Sequence, residues 1–157
     1  MDKASFERLY RELLPGLYRL AQSLLRSEAD AQDAVQQAAL NAYRALPRMK
    51  PGLERAYVTR VVVNECRNIQ RARRRVTPVA ALEETAAPFA PPDPDLRQAV
   101  GRLPEELRLA LLLKYMEGYT EKEIAGTLDI SVAAVKGRLL RARRRLAEEL
   151  REEVTLR

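Results

Sequence analysis

Histidine is absent from this 157-residue sequence, and cysteine occurs once, at Cys66. A single cysteine cannot form an internal disulfide, which fits a reducing cytosol. One cysteine without histidine is also too little for a zinc site, so we expect no metal and no cofactor. No apolar run approaches the roughly 18 residues of a membrane span, and residues 1–10 lack the apolar core of a signal peptide. We therefore expect a cytoplasmic protein that does not insert into membranes.

Basic residues outnumber acidic ones, giving a net charge of +6 that fits a polyanionic partner without selecting one. Residues 1–75 carry 15 Lys and Arg against 8 acids, and residues 96–157 carry 13 against 10. Residues 76–95 instead hold four acids, five prolines and no base. This composition predicts a flexible linker between two domains. The alternative is a long loop in one domain, although a structureless loop of about 20 residues is uncommon there.

Residues 120–146 have the pattern of two helices joined by a very short turn. Thr120 and Glu123 form a capping-box pair, which predicts that a helix begins there. Asp129 and Ile130 form the break, and Ser131 is a favourable N-cap for a longer second helix. The pattern predicts a helix-turn-helix.

The second of these helices has two different sides. An apolar stripe, expected to face the core, consists of Val132, Val135, Leu139, Ala142 and Leu146. The opposite side and its flanks combine small residues, which let a backbone approach base edges, with long cations that reach bases or phosphates. Its candidate DNA-binding residues are Ser131, Ala133, Ala134, Lys136, Gly137, Leu140, Arg141 and Arg144. A charged surface helix is the alternative interpretation.

The N-terminal part predicts two helices, over residues 5–26 and 27–46. Pro15 lies inside the first pattern and is expected to kink or divide that helix. Ser27 and Asp30 resemble a capping pair for the second helix, whose core stripe is Ala31, Val35, Ala38 and Ala42. The other side of this helix is polar, with Asp33, Gln36, Gln37, Asn41 and Arg44. Such a side is usually solvated, but it could also be a docking face.

A third helix is predicted over residues 54–75, after a turn-rich loop at 47–54. Val58, Val62, Cys66 and Ile69 lie on its inner side together with Glu65. Its outer side clusters Arg60, Asn64, Arg67, Arg71 and Arg74, flanked by Tyr57 and Asn68. Four arginines on one stripe repel one another unless an anion meets them, and nucleic acid is the natural candidate. A solvated basic face is the alternative.

Three segments together resemble the extracytoplasmic-function (ECF) sigma factors of bacterial RNA polymerase. The region 2 helix of that family is similar to ADAQDAVQQAALNAYRAL, with Asp33, Gln36 and Leu40 at its motif positions. Its promoter-melting helix is similar to AYVTRVVVNECRNIQRARRR, and its region 4 to LPEELRLALLLKYMEGYTEKEIAGTLDISVAAVKGRLLRARRRL. The resemblance covers nearly the whole chain. Three features depart from the family pattern: Gly137 replaces a common Ser or Thr, Tyr57 replaces a common Trp, and Phe is scarce in the region 2 helix.

The resemblance implies an all-α fold of two small helical domains joined by the linker. Region 2, at residues 1–75, would be a three-to-four-helix bundle, and region 4, at residues 96–157, a four-helix domain containing the helix-turn-helix.

It also implies the partners: RNA polymerase core (the β and β′ subunits), promoter DNA and an anti-sigma factor. Core would bind at Asp33, Gln36, Gln37 and Leu40. The −10 element would bind at Tyr57, Arg60, Asn64, Arg67, Arg71 and Arg74, with an unstacked base held beside Asn64 and the 47–54 loop. The helix-turn-helix side defined above would bind the −35 element.

Two other classes of protein are alternatives to a sigma factor. A LuxR-type regulator shares the outline of the helix-turn-helix and would bind duplex operator DNA without polymerase. Such a regulator does not need the basic stripe around Asn64. An enzyme is disfavoured because the sequence has no phosphate-binding loop, metal cluster or nucleophile–base pair. We therefore predict no catalytic residues and no small-molecule substrate.

Overall fold

The computed structural model describes residues 1–76 and 93–156, with side chains as far as residue 151. The described residues are helical, with no strand among them, which confirms the all-α prediction. They form two compact units. The helices are α1 (Lys3–Leu25), α2 (Glu28–Arg44), α3 (Glu54–Val76), α4 (Pro94–Arg102), α5 (Glu105–Tyr115), α6 (Glu121–Leu128) and α7 (Val132–Leu156), and a 3-10 turn spans Leu46–Arg48.

Most of the predicted linker lies outside the described residues. Of residues 76–95, the structure describes Val76, which ends α3, and residues 93–95. Asp93 is the N-cap of α4, and its Oδ1 accepts a hydrogen bond from the backbone N–H of Asp95 at 2.9 Å. Pro94 occupies the first turn of α4, where its missing N–H costs nothing. The C-terminal helices therefore begin slightly earlier than residue 96.

Helices α1, α2 and α3 pack against one another in the first unit. The predicted stripe of α2 (Ala31, Val35, Ala38 and Ala42) is fully buried, and Val58, Val62 and Cys66 of α3 are buried as well. Small alanines on α2 allow neighbouring helices to approach closely. Ser27 caps α2 as predicted, because its Oγ accepts a hydrogen bond from the N–H of Asp30 at 3.2 Å. Helix α2 ends at Arg44, two residues before the predicted end.

Pro15 does not divide the first helix, so that part of the prediction is wrong. Helix α1 continues through Pro15 from Lys3 to Leu25. The proline is exposed, whereas Phe6 before it and Leu17 after it are buried. Burial of apolar side chains on both sides of the proline outweighs one missing backbone hydrogen bond, since tertiary packing commonly overrides local propensity. The prediction weighed only the local effect of the proline.

The second unit is built around α7, which packs against α4 and α5. A buried apolar cluster joins the three helices and consists of Val100, Leu103, Leu107, Leu111, Leu112 and Ala142. Leu96 and Leu146 are partly buried and pack against it. Val135 and Leu139 of the predicted α7 stripe are also buried. Val132 is not, because 38% of its surface is exposed in the first turn of the helix. Its assignment to the core was wrong.

Candidate nucleic-acid interfaces

The outer side of α3 presents the predicted basic stripe to solvent. Asn64, Arg67, Arg71 and Arg74 are exposed, while Tyr57 and Arg60 nearer the start of the helix are half-buried. Their spacing of three or four residues places them on one side of the helix. The side-chain amide of Asn64 has no hydrogen-bond partner among the described residues. Its amide is therefore free to bind another molecule with one donor group and one acceptor.

Arg73 belongs to the same basic run but points the other way. Its Nε donates to Asp30 Oδ2 at 2.9 Å, and its Nη1 donates to the carbonyl of Leu25 at 2.9 Å. Gln70 Nε2 adds a bond to the carbonyl of Leu24 at 3.1 Å. A cation beside the last carbonyls of α1 and an acid in the first turn of α2 both suit the helix dipoles. These contacts join the end of α3 to the junction of α1 and α2.

Asn68 is a member of this surface that the sequence interpretation placed only on its flank. Its Oδ1 accepts a hydrogen bond from Arg71 Nη2, one helical turn further on. The bond restricts where the Arg71 guanidinium points. A spacing of three residues between an amide and an arginine on a helix is the sequence signal that could have indicated this pair.

The loop before α3 contains a Pro-Gly turn. The N–H of Leu53 donates to the carbonyl of Lys50 at 3.1 Å, and Gly52 has a φ of +84°. This geometry requires a positive φ at the third turn position, which glycine adopts without strain. Leu53 stays largely exposed beside the start of α3. The predicted turn is confirmed.

The polar side of α2 is solvent-facing at the predicted docking residues. Asp33, Gln36 and Gln37 are exposed, and 54% of the Leu40 surface is exposed as well. Asn41 differs, because its Nδ2 donates to Glu65 Oε1 of α3 at 2.7 Å. That contact makes Asn41 part of the helix packing rather than of the open face.

A groove between α1 and α2 adjoins this face and was not predicted. It has a volume of about 330 Å³ and is lined by Phe6, Glu7, Tyr10, Arg11, Leu14, Val35, Gln36 and Ala39. The Tyr10 hydroxyl donates to the carbonyl of Val35, and burial raises the pKa of this phenol above its ordinary value. Tyr10 therefore stays a neutral donor at the floor of the groove. Leu14 lines the groove, and both Leu14 and Leu40 are exposed leucines on neighbouring helices. No pattern in the sequence indicates the groove more directly than these two leucines.

Both helices of the predicted helix-turn-helix, α6 and α7, begin with the predicted N-terminal cap. The N–H of Glu123 donates to Thr120 Oγ1 and the N–H of Thr120 donates to Glu123 Oε1, each at 3.1 Å. Ser131 Oγ accepts from the N–H of Ala134 at 3.0 Å and caps α7. Asp129 turns the chain between the helices with a φ of 57°, a conformation that Asp tolerates better than most residues. The capping box and the second N-cap are confirmed.

The predicted groove-facing side of α7 is open along its length. Ser131, Ala133, Lys136, Leu140, Arg141 and Arg144 are exposed, and Ala134 and Gly137 are half-buried. Lys136 Nζ lies 4.0 Å from Glu121 Oε2, an exposed and therefore weak ion pair. Arg143 leaves this side, because its Nη1 donates to the Tyr115 hydroxyl at 2.6 Å. Arg143 is thus bonded to Tyr115, whereas Arg141 and Arg144 are exposed on the predicted groove-facing side.

The described ranges contain no candidate metal site and no candidate membrane span. No group of three or more acidic, cysteine or histidine side chains is placed there to hold a metal ion. None of the helices described is both long and apolar enough to cross a membrane.

Comparison with known proteins shows which family the two helical units resemble. The family model for sigma-70 region 2 matches residues 9–76, which include α3, and the model for sigma-70 region 4 matches residues 94–146, which include the helix-turn-helix. The ECF RNA polymerase sigma factor SigM of Mycobacterium tuberculosis is 34% identical over 157 residues, covering 95% of this chain and 79% of SigM. The chain belongs to the ECF sigma factors of the sigma-70 family. The LuxR-type alternative gains no support from these matches.

Other relatives of this sigma factor agree with that assignment. The ECF sigma factor SigE of Mycolicibacterium smegmatis is 29% identical over 158 residues, and the chain spans 62% of its length. Among solved structures, the sigma factor RpoE in complex with the anti-sigma factor NepR, from Bartonella quintana, has a TM-score of 0.77 at 25% identity, covering 94% of this chain and 97% of RpoE. CnrH in complex with the cytosolic domain of CnrY has a TM-score of 0.70 at 26% identity, covering 96% and 90%.

Proposed function

We propose that this sigma factor binds RNA polymerase core, directs it to promoters through −35 and −10 elements, and promotes melting of the DNA. The observation that carries the proposal is the exposed face of α3, where Asn64 lies among Arg67, Arg71 and Arg74. A regulator that only binds duplex operator DNA through its helix-turn-helix does not need this second basic surface on α3. In the same chain, region 4 supplies a second DNA-binding surface.

The proposed division of labour follows the two matched regions. Residues 1–75 bind core and the −10 element, residues 96–157 bind the −35 element, and residues 76–95 connect them. Two weak sites joined by a connecting segment gain avidity when both engage one promoter.

Core docking is assigned to the exposed face of α2. Asp33, Gln36, Gln37 and Leu40 lie there, facing away from the buried alanine stripe. The acid and amides offer polar contacts, and Leu40 offers an apolar one. The groove between α1 and α2 borders Gln36 and extends this face with apolar surface. The coiled-coil clamp of the β′ subunit is the proposed partner of this surface.

The −10 element is assigned to α3 and the loop before it. Arg60, Arg67, Arg71 and Arg74 bind phosphates, which position the DNA without reading sequence. Tyr57 and Asn64 contact an unstacked base close to the Pro-Gly turn. Trapping a base that has left the duplex offsets the few kcal/mol that unpairing costs.

The −35 element is assigned to α7 in the major groove. Ser131 caps the end that would enter the groove, and Ala133, Ala134 and Gly137 leave room for the backbone near the bases. Lys136, Arg141 and Arg144 can then reach bases or phosphates. Leu140 lies among them.

We also propose that an anti-sigma factor regulates the chain and that it acts in the cytoplasm without catalytic activity of its own. Both similar solved structures are of complexes, RpoE with the anti-sigma factor NepR and CnrH with the cytosolic domain of CnrY. This supports a partner of the same kind here.

Run-off transcription with purified core polymerase on a promoter library tests the proposal. The chain should produce sequence-specific transcripts that core alone does not make, and the selected promoters should share two spaced elements. If the chain binds an operator duplex tightly but neither binds core nor supports transcripts, it is a regulator of another kind.

A further inference from the structure

An exposed leucine lies in the middle of the proposed −35 surface. Leu140 of α7 has 44% of its surface exposed, whereas its neighbour Leu139 is almost completely buried. The two differ because successive residues of a helix are rotated by about 100°. Val135, Leu139 and Ala142 face the core, and Leu140 lies on the other side.

Leu140 belongs to a row of residues on the outer side of α7. Ala133, Gly137, Leu140 and Arg144 are spaced by three or four positions and therefore lie one above another on α7. The first three form a track without charge that ends in the only large apolar side chain on this side within the described part of α7. Lys136 and Arg141 border the track. Leu140 therefore lies between two cations on the side of α7 that is proposed to face the major groove.

We infer that Leu140 reads the 5-methyl group of a thymine in the −35 element. This inference rests on the proposed function and adds the chemical group that is recognised. In the major groove only thymine presents a methyl group, and apolar side chains contact it. Leu140 carries no donor or acceptor, so the methyl group is the feature of a base edge that it can recognise favourably. The small residues Ala133 and Gly137 allow the helix to lie deep enough for that contact.

Leu140 and the two cations beside it have different roles in binding: the cations supply affinity and Leu140 supplies sequence preference. Any phosphate contact that Lys136 or Arg141 makes holds the helix on the DNA whatever the sequence, because every nucleotide carries a charged phosphate. A leucine pressed against a groove edge without a methyl group loses its apolar contact and covers polar atoms instead. Sequence preference at that step therefore depends on Leu140, while overall binding depends on the cations.

Methyl substitution of the DNA tests the inference with the holoenzyme formed from the full chain and core polymerase. Promoters selected in the run-off assay are remade with each −35 thymine replaced in turn by deoxyuridine, which lacks only the methyl group. At one thymine, binding of the wild-type holoenzyme should fall about fourfold, the loss expected when the complex no longer buries one methyl group. In Leu140→Ala, the same replacement should have no effect.

Two further variants separate recognition from folding. Leu140→Met keeps an apolar side chain of similar reach and should retain the sensitivity to deoxyuridine. Met116→Ala removes another exposed apolar side chain of the same unit, at the C-cap of α5 and so outside α7, and should also retain it. Circular dichroism should show unchanged helix content in all three variants.

The outcomes distinguish this inference from the function on which it rests. If wild-type holoenzyme forms no promoter-specific complex, the proposed function fails and the inference fails with it. If the complex forms but no deoxyuridine replacement weakens it, the inference alone is wrong. Retained sensitivity in Leu140→Ala would also overturn it, because another residue would then contact the methyl group.

Discussion

The amide of Asn41 donates a 2.7 Å hydrogen bond to the carboxylate of Glu65, and this bond joins α2 to α3. It lies between the proposed polymerase-docking face and the proposed −10 surface, because Glu65 is the chain neighbour of Asn64. Gln37 Nε2 in turn donates to Asn41 Oδ1 at 3.2 Å. The docking face and the DNA-binding helix are thus connected by two consecutive side-chain hydrogen bonds.

Breaking this bond should loosen the packing of α2 on α3. Asn41→Ala and Glu65→Ala should each destabilise the first unit by about 1–2 kcal/mol, since a half-buried bond to a charged group is lost. The double variant should cost clearly less than the sum of the two, because they share one interaction. Hydrogen exchange of the α2 and α3 amides reports on this unit directly. Gln37→Ala, at the exposed end, is the control and should change little; additive effects in the double variant would contradict the prediction.

Asp33→Ala and Gln36→Ala should weaken core binding without unfolding the protein. Both residues are exposed, so stability should stay within about 0.5 kcal/mol of wild type. Affinity for purified core should fall, as measured by fluorescence anisotropy of the labelled chain. Gln32→Ala is a matched control, being an exposed α2 glutamine outside the proposed docking set. Variants that unfold yet still bind core would place docking elsewhere.

Asn64→Ala should impair promoter opening more than initial binding. Asn64 is uncharged, so phosphate attraction should survive, while the proposed contact to an unpaired base is lost. Permanganate footprinting should show fewer unpaired thymines, and a template with a pre-melted −10 segment should restore much of the activity. Arg67→Ala with Arg71→Ala should instead lose initial binding in a salt-dependent way in filter-binding titrations. An equal loss of binding and opening in Asn64→Ala would argue against this division.

Lys136→Ala and Arg141→Ala should each weaken binding to −35 DNA, and the pattern of the loss shows whether a base or a phosphate is contacted. A lost base contact should cost about 1–3 kcal/mol and relax specificity at one position, whereas a lost phosphate contact should weaken all sequences alike and flatten the salt dependence. The ion pair with Glu121 should hardly oppose DNA binding by Lys136, because it is long and exposed. Arg143→Ala is the control, since Arg143 bonds to Tyr115. Unchanged binding in both test variants would mean that another side of α7 faces the DNA.

Gly137→Ala should separate stability from DNA binding. Alanine in a helix interior is favoured over glycine by about 1 kcal/mol, so the second unit should become more stable. A Cβ there would meet only the flexible end of Arg141, at 3.4 Å, so nothing rigid opposes the change. Affinity for −35 DNA should nevertheless fall if the backbone at Gly137 approaches the bases. Thermal unfolding followed by circular dichroism and a duplex-binding titration measure the two effects; increased stability with unchanged affinity would show that this approach is not close.

The sequence predicted the features that depend on periodicity and caps. The buried stripe of α2, the capping box at Thr120 and the Ser131 cap were predictable because residue type and spacing determine local structure. The division of the first helix at Pro15 and the core position of Val132 were predicted wrongly because both depend on packing. Pro15 lies on the exposed side of α1, and Val132 lies in the first turn of α7, where it remains exposed. The α1–α2 groove and the Asn41–Glu65 bond could not be predicted, since both need the relative placement of two helices.

The inward position of Arg73 has a consequence for aligning relatives of this chain. Arg73, Arg74 and Arg75 are identical letters in a row, yet Arg73 is bound to Asp30 and the carbonyl of Leu25 while Arg74 is exposed. An alignment that shifts by one position inside this run still pairs arginine with arginine, but it exchanges the partly buried contact of Arg73 for the exposed Arg74. The acid at the position of Asp30, forty-three residues earlier, fixes the register.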